Sequence, residues 1–406
     1  MTGDPRSDLF FLPAWPPSAD AVLWVSLTLV IAALLGEAVY RWLRLPRVVG
    51  YAAVGTIVSA LDVGLLSAAT LKPGLRSIVD LALALLLFEL GSRINLRWLR
   101  TNPWLLATSL AEAALTFIAV YLALGALGTD PRTATAIAAI AIGTSPAVVM
   151  RVASEFDASG QVTERMIVLT GLNTFYAVLA SKFVFGWLHA EYVGSLVRAF
   201  AHPLYLLAGS AIVAALLAFT VSLIARRLDL RNENSTLLLL GMILLALSIT
   251  KMANLSTLLV PLLAGLMLRN STERPWIWPR HFGTAGGALV LMLFVITGSV
   301  WSIDTLIAGA ALGVAVIVAR TAAKLLATTL LAAPSGIALR QGVALGVTLV
   351  PMSGAALVMM TELQNLYPEF ASHLAAVVFS AIAFLELIGP IAVHLALRWV
   401  HEENIR

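Results

Sequence analysis

The sequence contains no cysteine among its 406 residues, so it forms neither a disulfide nor a thiolate metal site. Charged residues are scarce at 12%, whereas about a quarter of an ordinary soluble domain is charged. The six histidines lack metal-ligand spacing, and neither a glycine-rich phosphate loop nor a Ser/His/Asp arrangement stands out. These absences argue against an enzyme, and we expect no cofactor and no bound metal.

Apolar residues dominate instead, with 60% hydrophobic residues and a mean hydropathy of +0.93. This composition predicts an all-α polytopic membrane protein whose main partner is the lipid bilayer. Thirteen apolar runs are long enough to be candidate spans, at about 21–43, 46–62, 75–94, 103–127, 133–153, 163–186, 200–225, 235–252, 255–269, 284–301, 305–331, 338–362 and 371–400. The net charge of +4 lies mostly in the short loops between these runs, so it does not indicate nucleic-acid binding.

The loop charges predict an orientation. Assigning Lys and Arg to alternate sides of thirteen spans places seventeen on one side and six on the other. The side with more basic residues is expected to be cytoplasmic, with the N-terminus outside and the C-terminus inside, in what we expect to be a bacterial inner membrane. Only Lys182, Arg320 and Lys324 remain inside spans.

The same span count predicts an internal symmetry. Six spans, a linking span and six more would make the second set enter the membrane from the opposite face, as an inverted repeat. The predicted parts are an extracytoplasmic segment over 1–20, a first repeat over 21–186, a linker over 187–234, a second repeat over 235–400 and a tail over 401–406.

Two spans at matched positions of these repeats are interrupted by helix-disrupting clusters. The fifth contains Gly143, Thr144, Ser145 and Pro146, and the twelfth contains Pro351, Met352, Ser353 and Gly354. A break in mid-span is tolerated only where it is buried in protein or lines a wet cavity. Paired breaks are typical of transporters that bind their substrate at the midplane, although Gly and Pro are also common in ordinary membrane helices.

Several segments, in order, resemble the monovalent cation/proton antiporters of the sodium/hydrogen exchanger family. They are Leu45 to Tyr51 with Gly55, Leu85 to Gly91, Gly143 to Val149, Asn254 to Leu266, Leu293 to Gly298 and Glu386 to Pro390. The resemblance covers nearly the whole chain. It implies a homodimer in which a core bundle holding crossed, broken helices moves against a dimerisation bundle.

The chain departs from the family at the expected ion site. The family carries an Asp there, usually preceded by Asn or Asp, and by position this pair falls on Asn173 and Thr174. A threonine coordinates an ion through its hydroxyl but does not exchange it for a proton. The expected contacts for a monovalent cation are therefore Thr144, Ser145, Asn173, Thr174 and Ser353. Alternatively, these groups only satisfy backbone atoms freed by the breaks.

The family also has a basic residue near the crossing. Arg320 and Lys324, four residues apart on one helix face, both fit, and the sequence does not choose between them. With no acid at 173 or 174, we expect the cavity to be net positive. Among the intramembrane acids Glu37, Asp80, Glu89, Glu112 and Glu386, Glu112 is the hardest to explain by a structural role, which makes it the candidate proton carrier.

Two functions remain open at this point. One is an antiporter that exchanges Na⁺ or K⁺ for protons by alternating access. The other is a family member that has lost exchange and acts as an uncoupled or anion pathway, or as a membrane component that transports nothing. The chain stops at Arg406, so control by a nucleotide-binding domain like that of many relatives would need a separate regulatory subunit.

Overall fold

The computed structural model describes residues 21–61, 73–193, 196–225, 233–271, 282–366 and 368–404. Within these ranges the chain forms helices joined by turns, without a β-strand, so the all-α prediction is confirmed. The predicted extracytoplasmic segment, 1–20, lies outside the described residues, as do the last two residues of the predicted tail.

The helices follow one another closely along the chain. In order they are α1 (Ala21–Ala38), α2 (Arg47–Ala60), α3 (Pro73–Arg93), α4 (Leu96–Thr101), α5 (Pro103–Ala126), α6 (Pro131–Ala141), α7 (Pro146–Glu155), α8 (Gln161–Val193), α9 (Leu196–Ala225), α10 (Glu233–Met252), α11 (Leu259–Ser271), α12 (Phe282–Gly298), α13 (Ile303–Leu330), α14 (Leu339–Thr348), α15 (Gly354–Leu366) and α16 (Pro368–Trp399). A π-helical turn, Val39–Leu43, extends α1.

Many of these helices have the length and apolar composition of membrane-spanning segments. Seven segments of the described chain are long and apolar enough to span a bilayer, and four shorter apolar helices accompany them. Large apolar side chains such as Leu34, Phe219 and Leu330 are more than 60% exposed, as expected for surfaces that face lipid. The protein is an integral membrane protein, while the count of thirteen spans, the inverted repeat and its boundaries stay predictions.

The helices pack as two groups. Helices α5–α8 and α13–α16 form one, called the crossing bundle, and helices α1–α3 and α9–α12 form the other, called the flanking bundle. Small residues allow the closest approaches, as is usual between membrane helices. In the flanking bundle, a Cβ on Gly265 would lie 2.1 Å from the carbonyl oxygen of Phe88, so α3 and α11 pack backbone to backbone there.

Local sequence sets the ends of the interrupted helices. Helix α6 begins at Pro131, and the side chain of Asp130 caps it by accepting hydrogen bonds from two backbone amides of the first turn. It ends at Ala141, and α7 starts at Pro146 with the Ser145 side chain as its N-cap. Likewise α14 ends at Thr348 and α15 starts at Gly354. The sequence therefore turns both segments into pairs of half-helices.

Candidate functional site

The two interruptions touch inside the crossing bundle. The amide of Ser145 donates to the carbonyl of Pro351 at 2.8 Å, and the hydroxyls of Ser145 and Ser353 lie 2.5 Å apart. The Thr144 hydroxyl donates to Leu349 O at 3.1 Å. The membrane-length window containing the first interruption is 94% buried, so protein surrounds the freed backbone groups as the physics of a bilayer requires.

Arg320 binds the carboxyl ends of both half-helices that enter the crossing. Its guanidinium donates to Ala141 O at 3.2 Å and to Gly143 O at 2.7 Å, just beyond α6, and also to Val350 O, just beyond α14. These carbonyls carry the partial negative charge of a helix C-terminus. A fully buried arginine is stabilised there because its planar fork meets acceptors from both segments at once.

Lys324 lies one helical turn further along α13 and pairs with Glu112 of α5. The Lys324 ammonium donates to the Glu112 carboxylate, and both side chains are 0% exposed. It also donates to Ile142 O at 3.2 Å and to the Thr144 hydroxyl at 3.3 Å. Glu112 therefore supplies a negative charge opposite Lys324 from another helix.

Thr144 connects this ion pair to helix α8. Besides its contact with Lys324, its hydroxyl accepts a hydrogen bond from the Asn173 amide at 3.2 Å. Two oxygens beside this network are buried without a hydrogen-bond partner in the described structure, Asn173 Oδ1 and Glu112 Oε2. Oxygens of this kind are the ligands that hard cations prefer. The arrangement can therefore offer a carboxylate, an amide and a hydroxyl oxygen to a dehydrated monovalent cation.

The structure thus brings together most of the residues that the sequence singled out. Both Arg320 and Lys324 reach the crossing, which answers the choice that the sequence left open. Thr174 differs, because its hydroxyl donates to Thr170 O on its own helix at 2.9 Å. Of the break residues, Gly143 and Pro351 lie between the half-helices, whereas Pro146 and Gly354 begin α7 and α15.

The remaining intramembrane acids are paired elsewhere, with one exception. Glu37 binds Arg41 and Arg47, Glu89 binds Arg93 at 2.9 Å, and Asp80 binds Lys251 at 2.6 Å. Glu386 forms no ion pair within the described chain and only meets the hydroxyl of Thr297. Sequence reasoning missed this contact, because the two residues are 89 positions apart.

Within the described ranges, no three His, Cys, Asp or Glu side chains lie close enough together to bind a metal ion. The buried polar groups of the crossing are the Glu112 and Lys324 pair and the hydroxyls of the breaks, and Glu386 is buried separately.

Comparisons with known proteins agree with this architecture. Two structures of the sodium proton antiporter MjNhaP1 from Methanocaldococcus jannaschii are similar over nearly their whole length. The one solved at pH 8 has 17% identity and a TM-score of 0.69, covering 93% of this chain and 95% of that chain. The electron-microscopy structure has 15% identity and a TM-score of 0.70, covering 95% and 99%. At these identities the likeness concerns the fold, which is that of an antiporter.

No curated protein matches the chain by sequence. A family model does, over residues 27–399, and it describes the transmembrane part of sodium/hydrogen exchangers. The resemblance stated from the sequence is confirmed over almost the entire chain. The protein belongs to the sodium/hydrogen exchanger family.

Proposed function

We propose that the protein is a secondary transporter that exchanges Na⁺ or K⁺ for protons by alternating access, with the cation bound at the crossing of the two broken spans. The observation that carries this proposal is the buried Glu112 and Lys324 pair next to Thr144 and Asn173. Burying an ion pair in a membrane protein costs desolvation free energy, and an apolar pair of similar volume is often as stable. An ion pair at this position therefore indicates a functional role.

The exchange follows from charge balance at this pair. A cation that binds the Glu112 carboxylate takes the place of the Lys324 ammonium. The displaced ammonium would then be a buried charge without a partner, so it loses its proton to water and becomes a neutral amine. One positive charge replaces another. When the cation leaves, Lys324 takes up a proton and the ion pair forms again. In this proposal Lys324 carries the proton, and Glu112, the candidate from the sequence, binds the cation.

The neutral groups have separate tasks in this proposal. Asn173 Oδ1, Thr144 Oγ1 and the Ser145 and Ser353 hydroxyls replace the water of hydration around the cation. Arg320 keeps its charge and stabilises the carbonyl ends of the half-helices. The pair at Glu112 and Lys324 thus replaces the Asp that the family resemblance leads one to expect at position 173 or 174.

The assembly and orientation are also proposals. We propose a homodimer, a cytoplasmic C-terminus and a bacterial inner-membrane location. The family resemblance supports the dimer, and the excess of Arg on one side of the predicted spans supports the orientation.

Proteoliposomes with an internal pH probe test the function. Addition of Na⁺ or K⁺ to vesicles holding an acidic interior should dissipate the proton gradient with the wild-type protein but not with empty vesicles. Glu112→Gln should abolish the response, while Glu89→Gln, which removes an acid outside the crossing, should preserve it. No cation-dependent response from acidic to alkaline pH would instead support the exchange-deficient alternative.

A further inference from the structure

Glu386 is a buried acid that the mechanism above does not use. Its side chain is 1% exposed in the middle of α16. One carboxyl oxygen contacts the Thr297 hydroxyl, and the other, Oε2, has no hydrogen-bond partner among the described residues. A carboxylate in this environment would be a poorly solvated charge, which is expensive in a protein interior.

The position of Glu386 links the two bundles. Helix α16 belongs to the crossing bundle, whereas Thr297 lies near the end of α12 in the flanking bundle. One turn beyond Glu386, Gly389 packs against the second break so closely that a Cβ on it would lie 2.9 Å from Pro351 Cβ. The acid is therefore within one helical turn of the crossing and at the boundary between the bundles.

The hydrogens at this contact can be counted. A threonine hydroxyl has one hydrogen, and that of Thr297 is within reach of both Leu293 O, at 2.8 Å, and the Glu386 carboxyl. When Thr297 donates to Leu293 O, the hydrogen in the contact with Glu386 comes from the carboxyl group. With a protonated Glu386, the Thr297 hydroxyl makes hydrogen bonds to both Leu293 O and the carboxyl group. With an ionised Glu386, it makes only one of these two bonds.

The charged groups on the helices packed against α16 have partners elsewhere. On α13, Arg320 binds carbonyls and Lys324 binds Glu112. Glu362 of α15 pairs with Lys182 at 2.5 Å, and Arg47 of α2 pairs with Glu155 of α7 at 2.8 Å.

Others lie towards the helix ends. Arg340 of α14 donates to Trp399 O, and His394 and Arg398 of α16 face Glu403 at 3.5 and 3.7 Å. Arg151 of α7 and Tyr51 of α2 interact electrostatically with each other. Arg132 of α6 and Asp304 of α13 lie in the first turns of their helices, and the described part of α12 carries no charged residue. None of these groups forms an ion pair with Glu386.

We propose that Glu386 and Thr297 form a second exchange site, in which Glu386 holds a proton that a monovalent cation replaces. This proposal rests on the proposed antiport function. The carboxyl O–H bond breaks, the proton leaves to water, and the cation takes its place between the carboxylate oxygens and Thr297 Oγ1. The Thr297 hydrogen points to Leu293 O in both states, so the site keeps the same charge, and only the hydrogen bond from Glu386 to Thr297 is replaced by the cation.

Proton release in detergent tests this site without requiring transport. Purified protein in weak buffer with a pH indicator is mixed with NaCl, KCl or, as a control, choline chloride. The wild type should release protons on addition of Na⁺ or K⁺ only. Glu386→Gln should release about half as many, because one of the two proposed proton-donating groups is removed. Glu89→Gln, which alters an acid bound to Arg93, should release as many as the wild type.

A second variant keeps the test valid if Glu386→Gln does not fold. Thr297→Val retains the acid but removes a neutral ligand, so half-maximal proton release should need about tenfold more cation. Thr297→Ser should behave as the wild type. Unchanged release in both Glu386→Gln and Thr297→Val would overturn the second site.

Failure here is distinguishable from failure of the proposed function. If wild-type proteoliposomes exchange cations for protons and Glu386→Gln retains the rate, the pH profile and the proton release, only the second site is wrong. If wild-type vesicles show no exchange while Glu386→Gln reduces proton release in detergent, the antiport function is wrong and the binding site stands.

Discussion

Lys324 and Glu112 form an ion pair with 0% exposure of both side chains, 212 positions apart in the chain and next to the break at Thr144. The pair joins α13 to α5, two helices that enclose the crossing. In the proposed exchange, this pair supplies one removable positive charge beside oxygens that can bind a cation, which is the minimum that coupled exchange requires.

Breaking this pair should be costly for stability. Glu112→Gln leaves a buried ammonium unpaired, so we expect a loss of about 3–5 kcal/mol in the free energy of unfolding. The double variant Glu112→Gln with Lys324→Met removes both charges and should recover much of that loss, while exchange remains absent. Thermal unfolding in detergent measures the first effect and the proteoliposome assay the second.

The control for this prediction is the more exposed pair of Arg93 and Glu89, whose side chains are 46% and 21% exposed. Arg93→Gln should cost less than about 1 kcal/mol, as is usual for ion pairs near a surface. Equal losses for Glu112→Gln and Arg93→Gln would show that the buried pair does not stabilise the crossing in the way described.

Arg320 should not be replaceable by lysine. A lysine ammonium is a point donor, so it cannot hold Ala141 O, Gly143 O and Val350 O together as the guanidinium does. Losing two charge-assisted hydrogen bonds should cost about 3 kcal/mol or more. Unfolding of Arg320→Lys measures this loss, and Arg340→Lys, at the exposed start of α14, should change stability little.

Thr174→Asp tests where the family's acid would fall. Thr174 is 1% exposed and adjacent to Asn173, so a carboxylate there would bring a second negative charge to the network around Thr144. We expect the apparent cation affinity and the pH dependence of exchange to change. Ser181→Asp, which places an acid two turns further along α8, is the matched control. A silent Thr174→Asp would show that the predicted alignment of this position is wrong.

The absence of cysteine makes the membrane orientation directly measurable. Single cysteines at Leu127, after α5, and at Ser159, before α8, are predicted to lie on opposite sides of the membrane. A membrane-impermeant maleimide added to intact cells should label Leu127→Cys, and should label Ser159→Cys only after permeabilisation. The reverse pattern, or labelling of both, would contradict the predicted topology.

The sequence predicts the helical elements of this protein well, and the reasons are local. Gly, Pro and Ser clusters cannot continue a helix, so the breaks near 143–146 and 351–354 can be read from the chain. Arg320 and Lys324 share a helix face because four residues make about one turn. Both features depend on neighbouring residues alone.

The partners of these residues are not predictable in the same way. Glu112 meets Lys324 because α5 and α13 pack at one particular rotation and height. Local sequence patterns do not reveal how two distant helices are aligned against each other. For the same reason Glu386, one turn before Gly389 and Pro390, reads as a packing residue from the sequence, while its contact with Thr297 across the two bundles becomes visible only in the fold.

Thallium binding tests the central claim most directly, because Tl⁺ substitutes for monovalent alkali cations and scatters X-rays anomalously. Crystals of the wild-type protein soaked in a thallium salt should show an anomalous peak at the crossing, in contact with Glu112 Oε2 and Asn173 Oδ1, and crystals of Glu112→Gln should lack it. A protein that exchanges cations in vesicles but shows no peak at the crossing would contradict the account.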